Sequence, residues 1–345
     1  MLQNQLQASG SNRVVTMEQI TIIGLGYIGS SIGYTLRLNH SKRYEVVGFD
    51  YESGVQQKAD KTGALDKSEW SMPAAVKDAD KIVIATPASS VRSLLEDMAA
   101  HVKPGAIVID TTTTAADITK WAEELLPRSV GFVSTYPLVS GRSIEDATGA
   151  EFDGARWAAA PSSTAPQEAV RGTIRLIEDL GATAFFISVE EHDSYIAAAS
   201  NLPIIVSNAM MLTAARSPSW REISKFATEQ FGDASSAAAI NPDTNIGALT
   251  ANAEMTIHWI EQMIIELNDF RTMLNSDDSA NPDGALAETM NQAWDARLRW
   301  ENNITPAEIH RPDLPTSGDM MLGMLVGFGV AEKLKASRNP KYDQH

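Results

Sequence analysis

The run Ile20-Thr21-Ile22-Ile23-Gly24-Leu25-Gly26-Tyr27-Ile28-Gly29 decides how this chain folds. Its four β-branched residues read as a buried strand, and Ser30 to Asn39, behind the glycines, reads as a helix. Between them the glycines stand at the spacing GxGxxG. The first permits a tight turn, the second lets a pyrophosphate approach the backbone, and the third lets helix pack closely on strand. The helix N-terminus adds amide donors and the positive end of a dipole. A glycine-rich turn alone is a weak signal. Here Asp50 ends the next strand, about twenty residues on, where a carboxylate accepts hydrogen bonds from an adenosine ribose. Gly24, Leu25, Gly26, Tyr27, Ile28, Gly29 and Asp50 are therefore expected to bind a dinucleotide. Asp50 repels a 2′-phosphate and no arginine follows it in Tyr51-Glu52-Ser53, which favours NAD. NADP stays open through Lys58 and Lys61.

Outward from that motif, strands and helices alternate. Glu45 to Phe49, Lys81 to Ala85 and Ala106 to Ile109 read as further buried parallel strands, with Val91 to His101 as a helix between. More strands are expected at Val130 to Val133, Trp157 to Ala160 and Ala184 to Ser188. The pattern predicts a doubly wound Rossmann domain. Thr86 and Pro87 end one strand at the crevice a dinucleotide crosses. From His192 the pattern turns helical. His192 to Ala215 is apolar around its circumference and is expected to be a helix buried on all sides. Asn252 to Leu274 carries an apolar stripe, and a polar linker, Ser276 to Gly284, precedes a helix near Leu286 to Trp300. The expected organisation is a flexible N-terminus (1–16), a Rossmann domain (17–163), a helical substrate and dimerisation domain (164–275) and a C-terminal helical extension (276–345). Two helices this apolar predict a homodimer.

Bulk composition bounds the function. Twenty-eight basic against forty-four acidic residues give a net charge of −16, which disfavours nucleic acid and anionic membrane as partners. The chain has no cysteine, so disulfides, thiolate metal sites and cysteine nucleophiles are excluded, and no metal is expected. Met1 to Thr16 lacks the apolar core of a secretory signal, and Met320 to Val330 is too short to span a bilayer. A cytoplasmic protein is expected.

Several further motifs carry a resemblance. They are Asp110-Thr111-Thr112-Thr113, Gly131 through Tyr136-Pro137, and Phe152 through Trp157. Glu190-Glu191-His192-Asp193, Ser200-Asn201-Leu202-Pro203, and Asn241-Pro242-Asp243 with Asn252 complete the set. With the glycine loop they make the chain resemble the prephenate/arogenate dehydrogenase family of tyrosine biosynthesis, from about Gln19 to Leu274. The resemblance implies hydride transfer from a ring hydroxyl to the nicotinamide with loss of a ring carboxylate. In that family a histidine of a His-Pro motif holds the reacting hydroxyl, and an arginine binds a substrate carboxylate. Here the His-Pro position is Tyr136-Pro137, and the arginine position falls at Ser236. The family's Ser-His-Leu-Pro-His stretch reads Ser200-Asn201-Leu202-Pro203-Ile204, so two more histidines are absent.

Those departures point to a refitted pocket. A tyrosine, with its pKa near ~10, is a poor proton acceptor unless a cation lowers it. Tyr136 is nonetheless the residue placed to manage the reacting hydroxyl, with Thr113, at the family's serine position, as its helper. Arg142 is a source of the missing positive charge. Ser200, Asn201 and Ser236 are expected on the substrate side. His192 reads first as a capping or core residue. Two alternatives stand beside a dehydrogenase of the prephenate type: a dehydrogenase or reductase of a specialised pathway, and a non-catalytic descendant that binds dinucleotide.

Overall fold

The computed structural model describes residues 17–139, 147–240, 242–281 and 283–302. Arg142 and the segments 1–16 and 303–345, Met320 to Val330 among them, lie outside the described residues.

The chain opens β1 (Glu18–Ile23), α1 (Tyr27–His40), β2 (Tyr44–Phe49), α2 (Ser53–Thr62), β3 (Lys67–Ser68), α3 (Met72–Val76) and β4 (Lys81–Ile84). There follow α4 (Ala88–Met98), β5 (Ile107–Asp110), α5 (Ala116–Leu125), β6 (Gly131–Pro137), β7 (Arg156–Ala160), α6 (Gln167–Asp179) and β8 (Thr183–Phe186). The eight strands form one sheet in the order β3-β2-β1-β4-β5-β6-β7-β8. All pairings are parallel except β6 with β7. The order reverses between β1 and β4, and at such a switch point the carboxyl ends of the strands leave a crevice for ligand.

Apolar clusters cover both faces of the sheet. One gathers Val91, Leu94, Leu95 and Ile118 from α4 and α5 over Ile82, Ile84 and Val108. The other sets Ile32 and Leu36 of α1 and Leu176 and Ile177 of α6 over Ile20, Ile22, Val46 and Trp157. Strands covered on both faces need near-continuous apolar runs, the signal that revealed them in the sequence. The sheet continues past residue 163, where the sequence reading ended the Rossmann domain, because α6 and β8 complete it.

Two units divide the chain, one up to Ile260 and one from Glu261. After the sheet, the first holds α7 (Val189–Ile196), a π-helical turn (Ala197–Asn201), α8 (Leu202–Ala215), the short α9 (Trp220–Ile223) and α10 (Glu229–Ala234), and α11 (Pro242–Ala251). Helix α12 (Ala253–Leu274) begins in the first unit and continues into the second, which also holds α13 (Ala285–Glu301).

The π turn has a local cause. Pro203 has no N–H to donate back to Ala199, so the helix cannot keep its ordinary pattern there. The Leu202 N–H instead reaches Ala197 O, five residues back.

The expectation of a helix buried on all sides is corrected here. In α8 only Ser207 is buried within the chain, and Leu212 is exposed. Val189–Ala215 is long and apolar enough to cross a membrane by length and composition, yet it buries His192, Asp193 and Asn201 in hydrogen-bonded contacts. Its apolar surface therefore needs a cover that the described residues do not supply.

Candidate active site

Each glycine of the loop shows its job in space. Gly24 takes φ +91°, a left-handed conformation that side chains rarely adopt, and a Cβ there would stand 2.6 Å from Ala85 O. A Cβ on Gly29 would lie 1.9 Å from Gly24 O, so only glycine lets α1 sit this close to the loop. Gly26 differs: a Cβ on it would meet nothing within 4 Å. That open space lies at the N-terminus of α1, which no side chain caps. Uncapped first-turn amides around an empty cradle fit a pyrophosphate. Leu25 is buried, while Tyr27 and Ile28 are half-buried on the first turn of α1. Beside the loop, Thr86 Oγ1 is buried without a hydrogen-bond partner among the described residues, and Pro87 opens α4.

Asp50 does more than its sequence position suggested. Its Oδ2 accepts from Leu25 N–H (2.8 Å) and its Oδ1 from Glu52 N–H (2.8 Å), which ties the glycine loop to the end of β2. Gln56 Oε1 accepts from Asp50 N–H and its Nε2 donates to Glu69 O, bracing the neighbouring loop. A cleft of about 560 Å³ adjoins the carboxylate, lined by Tyr51, Trp70, Met72 and His101 among others.

Across the switch point, the ends of β5 and β6 build a second group of side chains. Asp110 is fully buried, with its Oδ2 accepting from Thr112 Oγ1 (3.0 Å) and Ser134 Oγ (3.2 Å). Burial pushes its carboxyl up to about 7 against the pull of those hydroxyls, and the nearby Asp193 adds to the rise. Tyr136 sits half-buried at the carboxyl end of β6, the ligand edge of the sheet, hydrogen-bonded to Ser200 of the π turn. Burial raises its phenol above the ordinary tyrosine value, with Ser200 pulling the other way. Tyr136 is therefore a neutral hydrogen-bonding group at pH 7 and does not itself take up a proton.

Helix α7 closes the group. The Asp193 carboxylate accepts from Thr114 Oγ1 (3.1 Å) and from the N–H groups of Ala115 (2.6 Å) and Ala116 (3.0 Å), at the N-terminus of α5. His192 Nδ1 lies 2.9 Å from Asp193 Oδ1, and the His192 ring meets Tyr136 edge-on at 5.9 Å between centroids. Asn252, just ahead of α12, and Trp259 on that helix hold α7 in turn, through Asn252 Nδ2 to Asp193 O (2.7 Å) and Trp259 Nε1 to Ser194 O (3.0 Å).

Of the expected substrate residues, Tyr136 and Ser200 come together and Thr113 is half-buried in the loop after β5. Asn201 donates instead to Thr256 Oγ1 (2.9 Å) in a buried seam with α12. Ser236 is exposed at the start of a short 3₁₀ turn. Arg142 is outside the described residues. Sequence reasoning missed the Asp110 and Asp193 contacts, because each joins residues some twenty-five to eighty positions apart.

Two family models match in succession. Residues 32–186 match the nucleotide-binding domain of prephenate dehydrogenase, and residues 188–292 match its dimerization domain. The chain belongs to the prephenate dehydrogenase family. The family boundary falls at the end of β8, as the sheet does. The chain is 25% identical to the prephenate dehydrogenase of Bacillus subtilis over 76% of its own length and 72% of that protein's. It is 25% identical to the cyclohexadienyl dehydrogenase of Zymomonas mobilis, over 85% of this chain and all of that one. Among solved structures, prephenate dehydrogenase from A. aeolicus in complex with hydroxyphenyl propionate and NAD+ superposes with a TM-score of 0.75 at 21% identity. It covers 83% of this chain and 99% of its own. Synechocystis arogenate dehydrogenase gives 0.69 at 22%, over 82% and 99%. The protein is an NAD-dependent dehydrogenase resembling prephenate dehydrogenase, with a Rossmann domain followed by a helical domain.

Proposed function

We propose that this dehydrogenase oxidises a hydroxyl on a cyclic, carboxylate-bearing substrate other than prephenate, working as a cytoplasmic homodimer. The observation that carries the reading is the placement of Tyr136. Its hydroxyl stands at the carboxyl end of β6, on the sheet edge that also bears the glycine loop, Thr86 and Asp110. NAD, when bound, supplies the hydride acceptor. Tyr136 and Ser200 orient the substrate oxygen, Thr113 helps them, and Asp50 selects the unphosphorylated ribose. The family histidine and arginine positions hold Tyr136 and Ser236, so neither holds the group that would serve prephenate there.

The test is turnover, followed by nicotinamide absorbance, on prephenate, arogenate and related cyclic hydroxy acids. We expect prephenate to be oxidised poorly and a related acid well. Tyr136→Phe keeps the ring and removes one hydrogen bond of roughly 1–3 kcal/mol, lowering turnover about 10- to 100-fold with NAD affinity intact. Normal turnover in Tyr136→Phe would return that residue to a packing role. Efficient oxidation of prephenate by the wild type would refute the refitted pocket.

A further inference from the structure

His192 is a buried titratable group to which the proposed reaction gives no task. It is 1% exposed, and its Nε2 has no hydrogen-bond partner among the described residues. A buried polar atom left unpaired is costly, and folded proteins seldom keep one without a reason. Its other nitrogen fixes the proton. Asp193 already accepts from two backbone amides and the Thr114 hydroxyl, so its Oδ1 accepts from Nδ1–H of His192 as well. Nε2 is then the bare, accepting nitrogen. A carboxylate that sets the tautomer and steadies the imidazolium is the arrangement by which proteins make histidine a proton acceptor.

The location completes the case. The ring packs edge-on against Tyr136, whose own phenol is held neutral by burial. Hydride transfer from a hydroxyl-bearing carbon leaves a proton that some group must take. We infer that His192, held by Asp193, accepts that proton through one bridging water behind Tyr136, standing in for the histidine that the Tyr136 position lacks. In the step, the C–H bond breaks as a hydride passes to the nicotinamide and C–O becomes C=O. The O–H proton moves by the water to Nε2, and the imidazolium beside Asp193 later returns it to solvent. The charged and titratable groups facing His192 are Asp193 on its own helix, Tyr136 on β6 and, through Asp193, the carboxyl of Asp110 on β5. The inference rests on the dehydrogenase reading, so its test has two arms.

The first arm is nitrogen NMR of histidine-labelled full-length protein with and without NAD. The expected result is His192 with its proton on Nδ1 and a bare Nε2, and a changed tautomer balance in Asp193→Asn. A neutral ring with its proton on Nε2 overturns the inference. The second arm compares wild type with His192→Gln, which retains a polar amide, on the best substrate of the panel. Turnover should fall roughly 10²- to 10⁴-fold, NAD affinity should hold, and the acidic limb of the pH profile should vanish. Adding Tyr136→His to that variant should restore part of the loss. A His192→Gln enzyme with the wild-type pH profile overturns the inference. If nothing in the panel is oxidised, the proposed substrate class fails, and the first arm alone decides whether His192 carries a bare Nε2.

Discussion

Replacing Gly26 and Gly29 separately, each with alanine, should have opposite effects. At Gly26 the backbone has φ −68° and ψ −159°, open to any L residue, and the new methyl meets no atom within 4 Å. The fold should barely notice, with Tm within about 3 °C of wild type. The methyl does occupy the cradle where a pyrophosphate approaches. Losing two charge-assisted backbone hydrogen bonds at roughly 1.5–3 kcal/mol each amounts to about 3–6 kcal/mol, a Kd for NAD raised some 10²- to 10⁴-fold. At Gly29 the methyl would stand 1.9 Å from Gly24 O, far inside the ~3.5 Å of an ordinary contact. Backbone must move, and overpacking of this kind costs about 3 kcal/mol. For a domain of this size that lowers Tm by roughly 6–12 °C. Calorimetric titration with NAD and thermal melts read both effects. Wild-type NAD affinity in Gly26→Ala would refute the placement of the pyrophosphate, whatever happens at Gly29.

Asp50→Ala should weaken NAD about 10- to 10³-fold and narrow its preference over NADP, since the change removes ribose acceptors, a repulsive charge and the brace on Leu25 N–H; unchanged NAD titrations would count against the ribose contact. Asp110 has a folded-state pKa of about 7, above its ordinary 3.8, so its stabilising contribution is full below about pH 4 and is lost as pH rises through 7. Asp110→Asn should therefore be more stable than wild type above pH 7, by up to ~4 kcal/mol, with the gap closing toward pH 4 in denaturant titrations; a gap that does not change with pH would show that Asp110 stays ionised. Sedimentation should find a species of about twice the 37.3 kDa chain mass, and Ile257→Glu, on an exposed apolar position of α12, should shift it toward monomer. A stable wild-type monomer at micromolar concentration would defeat the dimer.

Legibility followed the range of the interactions. Strands β1, β2, β4 and β5 announce themselves because burial on both faces demands apolar runs, and the glycine loop because its backbone geometry tolerates no other residue. Strand β3, two residues long in Lys67-Ser68, has no run to read. The antiparallel β7 gave its presence but not its direction, since Trp157 to Ala160 is equally apolar either way. The apolar circumference of α8 was read as burial, and a surface awaiting a partner has the same composition. Within the site, Tyr136 and Ser200 were found by motif position. The tie between Asp193 and the start of α5 spans nearly eighty residues and leaves no periodic trace. The role of Asp50 as a brace was hidden for a different reason. Its carboxylate accepts from the Leu25 and Glu52 amides, and neither backbone contact leaves a mark in the sequence.

The π turn makes the site a matter of counting. Ala197-Ala198-Ala199 are chemically interchangeable, and their methyl side chains offer no hydrogen bond. Yet each α-helical residue advances the helix by about 100°. Winding the same residues as ordinary helix, with no change in length, would swing the upstream face of α7 against the downstream face of α8 by roughly that angle, because the wide turn absorbs about one extra residue. Ser200 could then not face Tyr136 while Asn201 faced Thr256 and Asp193 faced α5. Every reactive group would survive that rewinding and the arrangement would not. The wide turn thus offsets the length of this alanine run, and a relative with one residue fewer there would keep the same arrangement only by winding this stretch as ordinary helix.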